Sequence, residues 1–196
     1  CIDDRAITGM AAWEIGKTVG SVFQNPKSQF FSSELAGEVA FGCENYGLRR
    51  EEIQKRTDES IETFSLSSVR KRPLDVLSSG EKQRVAIART LAMEPEIVVF
   101  DEPTAGLDPA GCTSILGNIR DYQKATHATI LMVTHSMDEV AQLADRMLVL
   151  NEGTIEMSGT PREVFSHAAR LAEIGLSVPQ VTALFLRLRE LGVDVD

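Results

Sequence analysis

The chain has 196 residues, 43% of them hydrophobic and 25% charged, with a net charge of -9. This is the composition of an ordinary soluble globular protein, long enough to bury a core as one domain or a domain with a subdomain. The acidic balance excludes a general attraction to nucleic acid or anionic lipid, and no apolar run approaches the ~18 residues that span a bilayer. The three cysteines, Cys1, Cys43 and Cys112, lie far apart with no paired metal spacing, which fits a reducing, cytosolic compartment. No basic, apolar, small-residue signal stands at the start. The chain opens on Cys1 rather than Met, so a fragment is one expectation.

In chain order, Val19 to Phe23 is a short apolar run after which Gln24-Asn25-Pro26 marks a loop; it predicts a buried strand. Residues 34–42 and 49–64 have helical spacing and many charges, and Ile53, Thr57, Ile61 and Phe64 fall on one face of the second. Residues 65–79, with Arg70-Lys71-Arg72-Pro73, read as a loop. A helix is predicted from Gly80 to Met93, a strand from Ile97 to Phe100, and a helix from Pro109 to about Tyr122. Thr129 to Val133 is the third strand and Met137 to Leu143 the next helix. Met147 to Leu150 and Thr154 to Met157 flank Asn151-Glu152-Gly153, a hairpin signal. Helices at 161–174 and 179–191 close the chain, with Pro161 and Pro179 at first-turn positions. Strands alternate with helices except for a helical insertion at 33–93. This predicts an α/β fold with a parallel sheet.

Ligands bind open α/β sheets at the carboxyl ends of the strands, and three predicted strand tips carry polar groups. Gln24 follows the first. The second, in VVFDEPTAGLD, runs into Asp101 and Glu102. The third, in LMVTHS, leads to His135. Successive strand side chains point to opposite faces, so the two acids are not a chelating pair on one face. One can hold Mg²⁺ through its water shell while the other reaches an attacking water. A solvated acid pair before a proline turn is the bland alternative, and a lone histidine after a strand is more often structural. LSSGEKQR adds a second feature: Ser78 and Glu81 have capping-box spacing ahead of a helix with a small, apolar face at Val85, Ala88, Leu91 and Ala92. Free N–H groups, a glycine and a positive dipole end suit an anion there; an ordinary capped helix is the alternative.

Taken in order, VFQNP, a helical insertion, LSSGEKQR, VVFDEPTAGLD and VTHS closely resemble the ATPase domain of ABC transporters over nearly the whole chain. The stretches QNPKSQF, VAFGCENYGL, LAMEPE, EPTAGLDPAG, GTPREVF and IGLSVPQVTAL are similar to the energy-coupling factor type of importer ATPase. The resemblance implies a P-loop NTPase (RecA-like) core with an inserted helical subdomain. Residues 1–32 would be part of the core with the glutamine loop, 33–93 the helical signature subdomain, 94–160 the rest of the core, and 161–196 a helical segment with a dimerisation role. It implies ATP and Mg²⁺ as ligands. Asp101 would order Mg²⁺ through water, and Glu102 would act as general base. His135 would contact the γ-phosphate. Gln24 would sense Mg²⁺ and the attacking water and couple the site to a membrane partner. Ser78 and Gly80, within Ser78-Ser79-Gly80-Glu81, would grip the γ-phosphate of ATP held by the opposite subunit. Asp108 would sit in the loop linking the two sites. These roles suit phosphoryl transfer, which depends mainly on positioning and charge stabilisation. The implied partners are a second ATPase subunit, identical or not, and transmembrane transporter subunits, with no nucleic acid. The implied place is the cytoplasmic side of the membrane, as a peripheral protein powering uptake of a small nutrient such as a vitamin or metal ion.

Two departures stand out. The family signature usually reads LSGGQ; here Ser79 replaces a glycine and Glu81 a glutamine. The phosphate loop, G-x-x-x-x-G-K-[ST], is the larger one. Its only candidate is Gly16-Lys17-Thr18, but the required first glycine falls on Ala11, Gly9 is two places early, and Trp13, Glu14 and Ile15 crowd the nest that should face phosphates. A true loop opens a helix; this segment is predicted to open the strand at Val19. The first strand–loop–helix unit, which needs roughly 30 or more residues, is therefore expected to be absent from these 196 residues. The isolated chain is expected to bind ATP poorly and not to turn it over, the intact protein supplying the missing part. The alternative is a truncated or silent subunit that lends its signature to a sister ATPase. The family's DNA-repair and chromosome-maintenance members carry long coiled coils or zinc-binding cysteine pairs in the insertion, and this chain has neither. A carboxylate metal hydrolase would need neither the signature nor the histidine. For Val181, Leu184, Leu188 and Leu191 the alternatives are core or dimer contacts rather than ligand contacts.

Overall fold

The three predicted apolar runs become β1 (Val19–Val22), β2 (Ile97–Asp101) and β3 (Thr129–Val133), a parallel sheet in the order β1-β2-β3. The computed structural model describes residues 1, 2 and 5–193. Val22 lies opposite Phe100, Phe100 opposite Met132, and Asp101 opposite Val133, so the three carboxyl ends line up. The strand pleat puts Val22, Val98 and Phe100 on one buried face, with Ile130 and Met132 joining them.

That face packs on α4 (Ser79–Ala92), whose Val85, Ala88, Leu91 and Ala92 are all buried, as their spacing predicts. Gly20 of β1 makes the close approach possible. A Cβ there would stand 2.6 Å from Thr90 Cγ2 and 2.9 Å from Pro95 Cγ. α2 (Leu35–Asn45) and α3 (Arg50–Thr63) complete the helical insertion around α4. Thr57, Ile61 and Phe64 are buried on the predicted inner face, and Ile53 packs beside it. The predicted loop at 65–79 contains two short 3₁₀ turns, Ser67–Val69 and Leu74–Val76, which seat Val69 and Leu74 in the core. β1 ends one residue before the predicted boundary, leaving Phe23 exposed, while α5 (Pro109–Thr126) runs past Tyr122 to a left-handed cap at His127.

The chain divides into two compact units, residues 1–133 and 134–196. The second contains α6 (Met137–Leu143) and an antiparallel hairpin of β4 (Met147–Asn151) and β5 (Thr154–Gly159). Glu152 and Gly153, both at positive φ, make the turn, as the Asn-Glu-Gly signal predicts. Its core joins Met137, Val140, Met147, Val149, Val164, Phe165 and Leu171.

Three expectations are corrected. A helix not predicted, α1 (Ala12–Thr18), precedes β1. The single helix expected at 161–174 divides into α7 (Pro161–Phe165) and α8 (Ala168–Glu173). Between them the Ser166 hydroxyl donates to the Glu163 carbonyl at 2.6 Å, an alternative to continuing the ladder. α9 (Gln180–Glu190) forms where expected, but Val181, Leu184 and Leu191 are 64%, 58% and 68% exposed. That removes the core alternative for this apolar stripe within the chain. Among the described residues no helix is long and apolar enough to cross a membrane.

Candidate functional site

The start of α4 is built by its own sequence. Ser78 is the N-cap: its Oγ accepts from the Glu81 N–H at 3.2 Å, and the Glu81 carboxylate accepts from the Ser78 N–H at 2.8 Å. The capping box expected from the S-x-x-E spacing is formed. The Ser78 N–H, helped by the Ser78 side chain and by the charges of Arg72 and Arg84, holds the Glu81 carboxyl below the ordinary glutamate value of 4.5. A carboxyl whose folded pKa is depressed adds stability that is complete above the ordinary value and is lost as pH falls through the lowered one. Below pH 4.5, therefore, Glu81→Gln should lose less stability per pH unit than the natural sequence. Urea midpoints measured against pH check this; parallel acid limbs would contradict it.

The same helix start faces the turn that follows β2. Ser78, Ser79, Gly80, Glu81 and Arg84 line a cleft of about 340 Å³ with Gly106, Leu107 and Asp108. A Cβ on Gly80 would sit 3.1 Å from Leu107 Cδ2, so the missing side chain is what leaves the two segments room. Asp108 caps α5, its Oδ1 accepting from the Gly111 N–H at 3.1 Å. The fold thus gathers two stretches that the sequence reading singled out separately. It also adds Arg84, whose Nε is buried with no hydrogen-bond partner. Its i+3 spacing from Glu81 was the signal available in the sequence.

At the sheet edge Asp101 is the last residue of β2, paired with Val133. Glu102 leaves the strand: its φ is +49°, while its N–H still donates to the Val133 carbonyl at 2.9 Å. A non-glycine residue there carries local strain of about 1–3 kcal/mol, which the surrounding bonds must hold. Those bonds include Ala105 N–H to the Glu102 carbonyl at 3.1 Å and Leu107 N–H to the Thr104 carbonyl at 3.2 Å. The two acids are therefore separated by a backbone change, beyond the simple alternation of a strand. Gln24 is exposed two positions after β1, at the tip beside β2.

His135 belongs to the second unit and is exposed, two positions beyond Val133. Its neighbours are pinned. Thr134 Oγ1 donates to Glu139 Oε2 at 3.0 Å, the Ser136 N–H donates to Thr134 Oγ1 at 3.0 Å, and Ser136 caps α6.

Gly16-Lys17-Thr18 form the last turn of α1, with Lys17 Nζ 4.8 Å from the Trp13 ring centre and the Gly16 carbonyl taking the Tyr46 hydroxyl. A helix end presents carbonyls and a negative dipole, the opposite of what a phosphate needs.

The remaining residues fit a magnesium nucleotide. α4 offers N–H groups beside a glycine, and the tip of β2 offers one carboxylate plus one strained acid. Among the described residues no group of three or more His, Cys, Asp or Glu is placed to hold a metal. Phosphate oxygens and water would have to complete the shell of a cation at Asp101, which is how Mg²⁺ is usually held.

Comparison with known proteins gives concordant matches. The family described as ABC transporter matches residues 1–105. The energy-coupling factor transporter ATP-binding protein EcfA1 of Clostridium perfringens is 45% identical over 184 residues, covering 94% of this chain and 65% of its own length. EcfA2 of Clostridium tetani is 44% identical over 200 residues, covering 100% of this chain and 69% of its own. A solved structure of cbiO1 from Clostridium perfringens, described as part of the ABC transporter complex cbiONQ, superposes with a TM-score of 0.72 at 36% identity. It covers 88% of this chain and 69% of that one. The chain spans 65% of the EcfA1 length and 69% of the EcfA2 length. With more than half of its residues matched by the family and the relatives' likeness running through both of its units, the chain belongs to the ABC transporter family.

Proposed function

We propose that the natural protein carrying this chain is the ATP-hydrolysing subunit of an energy-coupling-factor importer. The cleft that joins Ser78–Glu81 to Gly106–Asp108 carries the reading. It sets an anion-binding helix start beside the turn leaving a strained acid at a strand tip.

In this reading Ser78 and Gly80 bind the γ-phosphate of ATP held by an opposing subunit, with Ser79 and Glu81 setting the affinity. Asp108 connects the two sites of the dimer. Glu102 orients the attacking water and takes its proton. Gln24 positions that water and reports on the site to the membrane partner, and His135 contacts the γ-phosphate. Asp101, with Gln24, would hold Mg²⁺, which when bound neutralises charge developing on the phosphoryl oxygens. The phosphate cradle comes from outside these 196 residues. Residues 33–93 form the signature subdomain and present the surface facing the transporter. Phe30, just ahead of it, and its Leu74, Asp75 and Lys82 line a second cleft of about 350 Å³, and Phe31 and Val76 are exposed. The partners are transmembrane subunits that place the protein at the cytoplasmic face of the membrane, and the cargo is a small nutrient such as a vitamin or metal ion.

Magnesium-dependent ATP turnover by the natural protein, assembled with its membrane partners, is the test. Turnover that Glu102→Gln removes supports a hydrolytic subunit. Turnover that needs an added sister ATPase and ignores Glu102→Gln supports a silent subunit lending its signature. For the departures from LSGGQ, Ser79→Gly with Glu81→Gln should keep or strengthen cross-subunit ATP binding; loss of binding in that double variant would contradict the reading.

The exposed stripe on α9 is assigned to the dimer. Leu184→Asp should shift the protein toward monomer at a given concentration, as measured by sedimentation, since a charge at an apolar contact is costly to desolvate. An unchanged association constant would reject that assignment.

A further inference from the structure

The loop carrying Gln24 is tied to the signature helix by a buried network. The Gln29 side chain clips the end of β1 from both sides, its Oε1 accepting from the Phe23 N–H at 3.2 Å and its Nε2 donating to the Ser21 carbonyl at 3.4 Å. The Gln29 carbonyl takes a guanidinium N–H of Arg89, from the last turn of α4. The same Arg89 Nη1 donates to Glu38 Oε1 of α2 at 2.7 Å. Glu38 Oε2 in turn accepts from the Phe31 and Ser32 N–H groups at 2.8 and 2.7 Å. Glu38 is fully buried, with 0% exposure, and Arg89 is 12% exposed. The links through Arg89 and Glu38 are charge-assisted, the kind that fixes geometry as well as energy.

A buried charge pair is a poor way to gain net stability, because desolvation offsets much of the attraction. Its distinctive product is position. Here it joins three elements: the segment after Gln24, the last turn of α4 and the start of α2. The N-terminal end of that same α4 carries Ser78–Glu81.

We infer that Glu38 and Arg89 are positioning residues that hold the Gln24 loop in register with the signature helix, so that a movement of either is passed to the other. This rests on the proposed ATPase reading only for its consequence in turnover.

The test uses the natural protein with Arg89→Lys, which keeps the charge and loses the fork, and Glu38→Gln, which keeps the shape and loses the charge. Hydrogen exchange across residues 23–32 is measured first. Faster exchange there in both variants, with α3 unchanged, supports the tie; unchanged exchange at 23–32 overturns it. Turnover is measured next, in a cycle with Gln24→Ala. The expected loss in maximal turnover is about 10- to 100-fold, the size of a small misplacement at a distance. KM should stay within about threefold. Arg89→Lys should cost little more once Gln24 is already Ala, because both act through the same loop. Fully additive losses would overturn the positioning role. Should the natural protein show no turnover, the ATPase reading fails, and the exchange result alone decides the tie.

Discussion

Glu38→Ala is expected to destabilise the first unit by about 3–5 kcal/mol, the usual cost of removing one partner from a buried ion pair. The substitution leaves Arg89, only 12% exposed, without its anion, and strips the Phe31 and Ser32 N–H groups of their acceptor. The loss of these two part-buried, charge-assisted bonds adds to the cost. Against a typical total of roughly 5–15 kcal/mol, this threatens folding itself. Glu38→Gln keeps an oxygen for the backbone donors, so its loss should be clearly smaller. The pair Arg170–Glu173, at 47% and 64% side-chain exposure, provides the contrast. Exposed pairs of that kind contribute about 0.2–1 kcal/mol. Urea unfolding of the three variants Glu38→Ala, Glu38→Gln and Glu173→Ala checks the order. A loss below about 1 kcal/mol for Glu38→Ala would show that the network is not what holds the loop.

The sequence resolves well where local pattern and burial agree. β3 and α6 match their predicted ends, the first set by an apolar β-branched run and the second by a Ser cap ahead of Met137 and Val140, which are buried. Ser78 and Glu81 are legible for the same reason: the bonds they make are three residues apart. What escaped depends on distance or on strain. Glu38 and Arg89 are 51 positions apart, and Glu38 looks like one more charge on a charged helix until the fold buries it. The left-handed turn at Glu102 contradicts its residue type, as local rules do where a site is held under strain. α1 was invisible because it buries none of its residues, so no periodic face appears. The alignment of Ser78–Glu81 with Gly106–Asp108 needed the sheet, which brings the turn after β2 up to the start of α4.

The second large effect concerns Glu102. Gln has the same size and the same backbone demands, so Glu102→Gln should leave the left-handed turn and the Val133 bond in place. In the proposed role, it removes only the ability to take a proton from water. General-base catalysis is worth about 10²–10⁴ in rate, so turnover should fall by that factor. ATP binding should be retained, since the N–H groups at Ser78–Glu81 are untouched. A loss of binding together with turnover would instead assign Glu102 to the frame of the site.

The decisive measurement is therefore magnesium-dependent ATP hydrolysis by the natural protein, assembled with its membrane partners, alongside its Glu102→Gln variant and with ATP affinity measured on both. The expected result is turnover in the natural protein, a fall of about 10²–10⁴-fold in the variant, and an ATP affinity that differs little between them. Equal turnover in the two proteins would contradict the assignment of this chain's strand-tip acid to the hydrolytic step.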